Sequence, residues 1–225
     1  MYKIETHLHT VYASRCGHLD AKTIVAAYAE AGYSGIVVTD HFNRITFDYL
    51  KIDLSAPGSK VVPFLEGYRR VAEEAERFNL RVYRGAELRF DECDNDYLLY
   101  GFPDSLLEDP GDIFAMGIAA FSSIARSQGA LIVQAHPYRE LCTPAIARYL
   151  DGVEVRNLHP RHESHNAWAA SYAQRFGLIG LCGSDCHRVQ DMARGGIGAE
   201  LLPSDSMALA RLLRSRQFTL LGQDC

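Results

Sequence analysis

Tyr2-Lys3-Ile4-Glu5-Thr6-His7-Leu8-His9-Thr10 is the stretch whose reading decides the fold. Side chains alternate faces along an extended chain, so residues two apart point the same way. Tyr2 to Thr6 reads as a short strand; His7 and His9 project together at its end, and Leu8 turns into apolar packing. Two imidazoles converging at a strand end are a means of gripping a transition metal. The pair gains its weight from the residues that follow.

The chain has 225 residues, 48% of them hydrophobic and 23% charged, and a net charge of −5. These values fit one soluble globular domain, residues 1–225, with a substantial core. The negative balance argues against a general phosphate-backbone binder, which needs a basic stripe, so extended nucleic-acid binding is not expected. It leaves room for one phosphate in a locally positive, metal-loaded site. No run approaches a membrane span, and the N-terminus reads as a strand rather than a signal peptide. Six cysteines outside a small secreted scaffold read as reduced thiols, so a cytoplasmic location is expected.

There is no internal repeat, low-complexity tract or long linker. Strand and helix signals alternate instead. Asp20 is placed to cap a helix over Ala21 to Ala31, which Gly32 ends. Gly35 to Thr39 is a β-branched strand of the kind buried on both faces. A polar loop through Pro57 and Gly58 precedes a helix from Pro63 to Asn79. Strands follow at Arg81 to Ala86, Asp96 to Phe102, Ala130 to Ala135, Gly152 to Asn157 and Leu178 to Gly183. Helices are expected at Asp112 to Gln128, Ala145 to Leu150 (short), His162 to Phe176, and Ser204 to Ser215 with Ser204 as cap. Arg194 to Leu202 is glycine-rich and ambiguous. Repeated strand–helix units imply parallel strands, and about seven strands in one domain point to an α/β barrel, where function sits at the strand ends.

The ligand-type residues obey that rule. His7 and His9 end the first strand, Asp40-His41 follows the second, and Glu87 follows Ala86. His136 follows Ala135, and Asp185 and His187 follow Ser184. In a parallel barrel these ends share one mouth. Mixed imidazole and carboxylate ligands suit Zn²⁺, Mn²⁺ or Fe²⁺, and a pair of such ions supports metal-assisted hydrolysis with no Ser or Cys nucleophile. Neither a G-x-S-x-G elbow nor a phosphate-binding G-x-x-x-x-G-K-[ST] loop is present.

His7-x-His9-Thr10, Thr39-Asp40-His41, Gly85-Ala86-Glu87, Ala135-His136-Pro137 and Gly183-Ser184-Asp185-Cys186-His187 occur in the order typical of the polymerase and histidinol phosphatase (PHP) family. The resemblance spans about residues 2 to 200. It implies a distorted seven-stranded, TIM-like α/β barrel with up to three metals at the strand C-termini, and usually phosphoester hydrolysis. Carried across by position, His7, His9, Glu87 and Asp185 would hold a first metal, Glu87 and His136 a second, and His41 and His187 a third. Two positions depart from the pattern. The strand after Glu87 lacks the usual His, and Asp96 is the best substitute there. Cys16, with His18 two residues on, stands where an Asp or His is usual; a thiolate at that point would favour Zn²⁺ and be open to oxidation.

Six arginines lie beside these motifs: Arg44, Arg89, Arg139, Arg156, Arg161 and Arg188. The planar guanidinium suits phosphate, and Arg139, Arg161 and Arg188 are the expected substrate contacts, Arg139 foremost. Glu154 and Asn157 are candidates for orienting the imidazoles. His159, His162 and His165 read as solvated and stay outside the expected site; Tyr12, Phe42 and Tyr138 are candidate pocket walls. The expected function is hydrolysis of a small phosphomonoester, such as histidinol phosphate or a nucleotide, by a metal-activated hydroxide. Two or three divalent ions and Arg139 would carry the developing charge, and a metal-bound water or Asp185 would protonate the leaving oxygen. The alternatives are a phosphodiesterase or exonuclease on short oligonucleotides, a C–N or C–O hydrolase, and a non-catalytic metal-binding regulatory module. The stretch Asn43 to Val62 is the expected substrate-shaping insertion.

Overall fold

The computed structural model describes residues 1–55 and 60–222. Part of the expected insertion, with Pro57 and Gly58, therefore lies outside the described residues. The strands are β1 (Tyr2–Glu5), β2 (Gly35–Val38), β3 (His41–Phe42), β4 (Arg81–Arg89), β5 (Asp96–Tyr100), β6 (Leu131–Gln134), β7 (Gly152–Asn157), β8 (Ile179–Gly183), β9 (Gly196–Ala199) and β10 (Thr219–Leu221). The helices are α1 (Ala21–Glu30), α2 (Arg44–Tyr49), α3 (Val61–Phe64), α4 (Glu66–Ala75), α5 (Pro110–Ser127), α6 (Asn166–Phe176) and α7 (Ser206–Ser215). No helix among the described residues is long and apolar enough to cross a membrane.

The strands form one sheet in the order β10-β9-β1-β2-β4-β5-β6-β7-β8, with β3 added beside β4. It curls into a nearly closed barrel, the distorted TIM-like architecture expected from the sequence. The wall is not uniformly parallel, however. β5 runs antiparallel to both β4 and β6, so its first residue, rather than its last, lies at the functional mouth. β9 and β10 are a further antiparallel pair beside β1.

Burial alternates along the wall as a two-residue period requires. Ile4, Val37, Tyr83, Leu98, Tyr100, Leu131, Val133 and Leu181 pack together inside the barrel. Ile36 and Val38 point outward and pack with Ile24, Val25 and Tyr28 of α1 and Val71 of α4. Tyr97, Leu99 and Ile132 join a phenylalanine-rich layer that includes Phe42, Phe47, Phe64, Phe114 and Phe121.

Several element bounds differ from the sequence reading, each for a local reason. β4 continues to Arg89 because β3 and β5 supply hydrogen-bonding partners on both sides, so Glu87 lies within a strand rather than after one. The expected Pro63–Asn79 helix is two helices, interrupted at Leu65, where ψ is 7°. His165 takes a left-handed conformation (φ 47°), which delays α6 to Asn166. The expected helix near residue 147 is one 3₁₀ turn, Ala147–Tyr149. Asp20 caps α1 through Thr23 N at 2.8 Å, as its position implied. On α7 the cap is Asp205, accepting from Ala208 N at 2.7 Å, and not Ser204. Helix α2, capped by Asn43 accepting from Thr46 N at 2.9 Å, and strand β10 have no counterpart in the sequence reading.

β1 and β8 do not pair as strands, yet the barrel closes between their extensions. Leu8 and Cys186 form a parallel bridge, with His9 N donating to Cys186 O at 2.9 Å and Cys186 N to His7 O at 3.1 Å. Beneath that bridge sits the fully buried carboxylate of Glu5. Its Oε1 accepts from the backbone N–H groups of Thr6 (2.9 Å), His7 (3.1 Å) and Ser184 (3.0 Å). Its Oε2 accepts from the hydroxyls of Tyr28 (2.8 Å) and Ser184 (2.5 Å). Burial pushes this carboxyl upward, and the Ser184, His7 and Tyr28 donors only partly offset it. Removing a buried acceptor with several donors strands those donors. Glu5→Ala is expected to cost about 3–5 kcal/mol in urea unfolding, and Glu5→Gln about 2 kcal/mol, because an amide offers one acceptor oxygen where two are used. Equal stability of wild type and Glu5→Ala would remove Glu5 from this role.

Candidate metal centre

The mouth of the barrel collects residues from five parts of the wall. His7 and His9 leave β1, His41 opens β3, and Glu87 is the inward residue of β4 directly across from His41. His136 follows β6, and Asp185 and His187 follow β8. Both His136 (φ 28°) and Asp185 (φ 49°) adopt left-handed backbone, a strained state that side-chain-bearing residues keep where the surroundings dictate it.

Glu87 lies at the centre. Its Oε1 is 3.2 Å from His7 Nε2 and 3.3 Å from His136 Nε2; its Oε2 is 2.7 Å from His41 Nδ1 and 3.4 Å from His9 Nε2. Asp185 Oδ1 stands 3.5 Å from both His7 Nε2 and His9 Nε2, and His7 Nε2 is 3.0 Å from His9 Nε2. Despite this crowding, among the described residues no imidazole N–H meets either oxygen of Glu87 with hydrogen-bond geometry, and His41 Nδ1 is likewise unmatched. A buried carboxylate left this way is costly unless something else satisfies it. The donor atoms of His7, His9 and Asp185 lie within 4.8 Å of one another, as do those of His9, His41 and His187. Divalent cations fit these residues: the lone pairs converge, and a positive ion would satisfy the orphaned carboxylate.

The electrostatics agree with ligand roles. Burial opposes ionisation of Glu87, but His7 and His41 outweigh it and hold the carboxyl well below the usual range. Burial is likewise outweighed at Asp185 by His7 and Arg139. Burial, with His187 and His41 nearby, keeps His9 well below the ordinary imidazole value and therefore neutral, the form that donates a lone pair. His7 moves up, because Glu154, Asp185 and Glu87 together overcome its burial.

An outer ring of groups orients the inner one. Glu154 Oε1 takes His7 Nδ1 at 3.0 Å, leaving Nε2 for the centre, while its Oε2 accepts from His136 N (3.1 Å) and Asn157 Nδ2 (2.8 Å). Buried Asp40 accepts from Thr10 N (2.6 Å) and from Ser14 Oγ (2.8 Å), and Ser14 Oγ in turn lies 3.4 Å from His9 Nδ1. Cys142 Sγ is 3.7 Å from His136 Nδ1. His187 Nδ1 faces the backbone oxygen of Asp185 at 3.0 Å, which frees Nε2.

A cleft of about 380 Å³ opens over this cluster. The structure brings His7, His9, His41, Glu87, His136, Asp185 and His187 together. Cys16 is exposed at the cleft edge; against the desolvation of its sulfur, contacts with His187 and His41 bring the thiol down to about 6. Asp96 is buried beside the cleft, with both oxygens bonded to Arg89 (Nε 2.8 Å, Nη2 2.5 Å). Arg139 Nη2 donates to Asp185 Oδ2 and Asn157 Oδ1, each at 2.7 Å, while its buried Nε has no hydrogen-bond partner among the described residues. Arg161 lines the cleft but is held bidentately by Asp191, at 2.5 and 2.8 Å, and Arg188 is an exposed lining residue.

Other expectations require correction. His159 is buried and lines the cleft with His162, because Arg161 and the Asn157 turn fold it inward; its ring is pushed down to about 4, chiefly by burial. Phe42 belongs to the core, Tyr12 lies under Arg70, and Tyr138 packs on Trp168 and Tyr172, so none of the three lines the cleft. Arg44 pairs with Asp91, and Arg156 approaches Gly222 O, both away from the cleft. Of the orienting groups, Cys142 carries no sequence signal, whereas Glu5, Ser14, Asp40 and Asp191 each stand within five residues of a candidate ligand.

Fold and site together define an α/β barrel with a histidine–carboxylate cluster at its mouth that could hold metal ions. The PHP domain profile matches residues 5–210, and the chain belongs to that family. Among solved structures it resembles a two-domain Bacteroides vulgatus protein containing a predicted PHP-like metal-dependent phosphoesterase (16% identity, TM-score 0.72), covering 99% of this chain and 65% of that one. It also resembles PsfC from Pseudomonas syringae (18%, 0.67), with 99% and 91% covered. A third is the lesion-specific endonuclease PfuEndoQ from Pyrococcus furiosus (11%, 0.63), with 99% and 59% covered. Comparison with curated protein sequences returned no match. At these identities the likeness establishes the fold. Glu154→Gln is expected to weaken binding of a divalent cation about 10- to 100-fold, read by competition with a fluorescent chelator. Unchanged affinity would show that Glu154 does not orient His7.

Proposed function

We propose that this protein is a metal-dependent phosphoester hydrolase acting on a small phosphomonoester. The observation that carries the reading is the buried Glu87 carboxylate among four imidazoles, beneath a cleft whose wall presents Arg139. His7, His9, Glu87 and Asp185 would hold one ion, with His41, His187 and His136 supplying the remaining imidazole ligands. Zn²⁺, Mn²⁺ and Fe²⁺ suit such donors. Bound ions supply Lewis acidity toward water and toward the phosphoryl oxygens.

The chain's own residues set the rest. Arg139 commits one nitrogen to Asp185 and Asn157 and lines the cleft, where its guanidinium charge would meet a phosphoryl oxygen. Asp185, held ionised by His7 and Arg139, is suited to bind a cation rather than to donate a proton. Arg188 and Arg161 lie further along the cleft, where a substrate's remaining charge would meet them. A volume of about 380 Å³ suits a small ester better than a duplex. The endonuclease among the structural relatives supports a second reading, cleavage of a short oligonucleotide.

Phosphate release from histidinol phosphate, nucleotides and a short oligonucleotide, with Mn²⁺, Zn²⁺ or EDTA, separates these readings. Turnover of a small monoester that EDTA abolishes and Mn²⁺ restores is the expected result, with Arg139→Ala lowering kcat/KM about 100-fold. Turnover confined to the oligonucleotide would establish the nuclease reading instead. Silence with every metal and substrate would count against both.

A further inference from the structure

Glu87 and Asp96 both bring carboxylates to the same side of the mouth, and with His41 their donor atoms lie within 4.8 Å of one another. That grouping alone would take a cation. It already has one. Arg89 and Asp96 are direct cross-strand partners in the β4–β5 ladder, so their side chains leave the sheet side by side. Asp96 is 2% exposed, and both of its oxygens are taken by the Arg89 guanidinium, at 2.8 and 2.5 Å. Asp94 adds a second carboxylate 3.6 Å from Arg89, and Arg89 lines the cleft.

We infer that Arg89 stands, with its own charge, in the place beside Glu87 and Asp96 where a further cation would bind, so that the centre holds two metal ions and not three. The inference rests on the metal-centre reading above. The contrast with Asp185 carries it. Arg139 holds only Oδ2 of that residue, and Oδ1 is left facing His7 and His9. At Asp96 both oxygens face the Arg89 guanidinium. Without Asp96, that grouping keeps only His41 and Glu87, and Glu87 Oε2 is shared with His9 at 3.4 Å. A single imidazole and a shared carboxylate oxygen fall short of the three or four protein ligands typical of a firmly held ion. The guanidinium does not deprotonate in the working pH range, and its fork matches both carboxylate oxygens, so it is a permanent occupant.

The test counts metal in the full-length protein, stripped with chelator, reloaded with Mn²⁺ or Zn²⁺, and desalted. Native mass spectrometry and plasma mass spectrometry are expected to give two ions per chain for the wild type and three for Arg89→Met. The double variant Arg89→Met/Asp96→Asn is expected to return to two. Three ions in the wild type, or two in a folded Arg89→Met, would overturn the inference and leave the metal centre standing. No ion in the wild type would overturn the metal centre itself, and the inference with it. Anomalous scattering from wild-type crystals needs no variant to fold: two peaks are expected, and a peak in contact with Asp96 would refute the assignment.

Discussion

One buried carboxylate, that of Glu5, holds together the two strand ends that build most of the centre. His7 and His9 come from β1, and Asp185 and His187 from beyond β8, and these strands are not laddered together. Glu5 takes N–H groups from both strand ends and a hydroxyl from α1, so helix, first strand and last parallel strand meet at one anion. Every distance between His7 or His9 and Asp185 depends on that junction. A hydrophobic residue could fill the same volume but could not fix two backbone segments in register.

Above the junction, the structure tolerates arrangements that are unfavourable in isolation. Two site residues sit in left-handed backbone, a carboxylate lies without a well-formed hydrogen bond among the described residues, and imidazoles approach one another edge to face and face to face. Strain and unsatisfied charge of this kind gather where function requires them and are offset by the rigid scaffold beneath. Here the scaffold is visible: Gly183 brings β8 so close that a Cβ there would lie 2.6 Å from both His7 Cβ and Glu154 Oε1. The orienting carboxylate reaches His7 because that position carries no side chain.

The strand-borne part of the candidate site is legible in the sequence because each candidate ligand follows a short strand-like run, and such runs are local signals. The bounds of the Gly152–Asn157 strand are legible to the residue, and Asp20 alone marks the α1 cap. What escaped depended on distant partners. The length of β4 is set by β3 and β5, and the direction of β5 by its pairing with β4, neither of which periodicity records. His159 looked like one of a solvated trio because its burial comes from Arg161 and Asp191, thirty residues apart in the chain. Asp96 illustrates the same limit: its residue type suits a metal, but only the ladder shows that Arg89 faces it.

The antiparallel course of β5 also makes the mouth sensitive to the length of a connection far smaller than any helix. Arg89 and Asp96 oppose each other because residues 90–95 span the turn between them. Losing or gaining one residue there would slide β5 by one position, and a one-residue slip carries every side chain to the opposite face. Asp96 would then leave the mouth and the Arg89 guanidinium would be set free within it. The charge inventory of the centre is thereby written into the length of a surface turn, a place where insertions and deletions are otherwise easily absorbed.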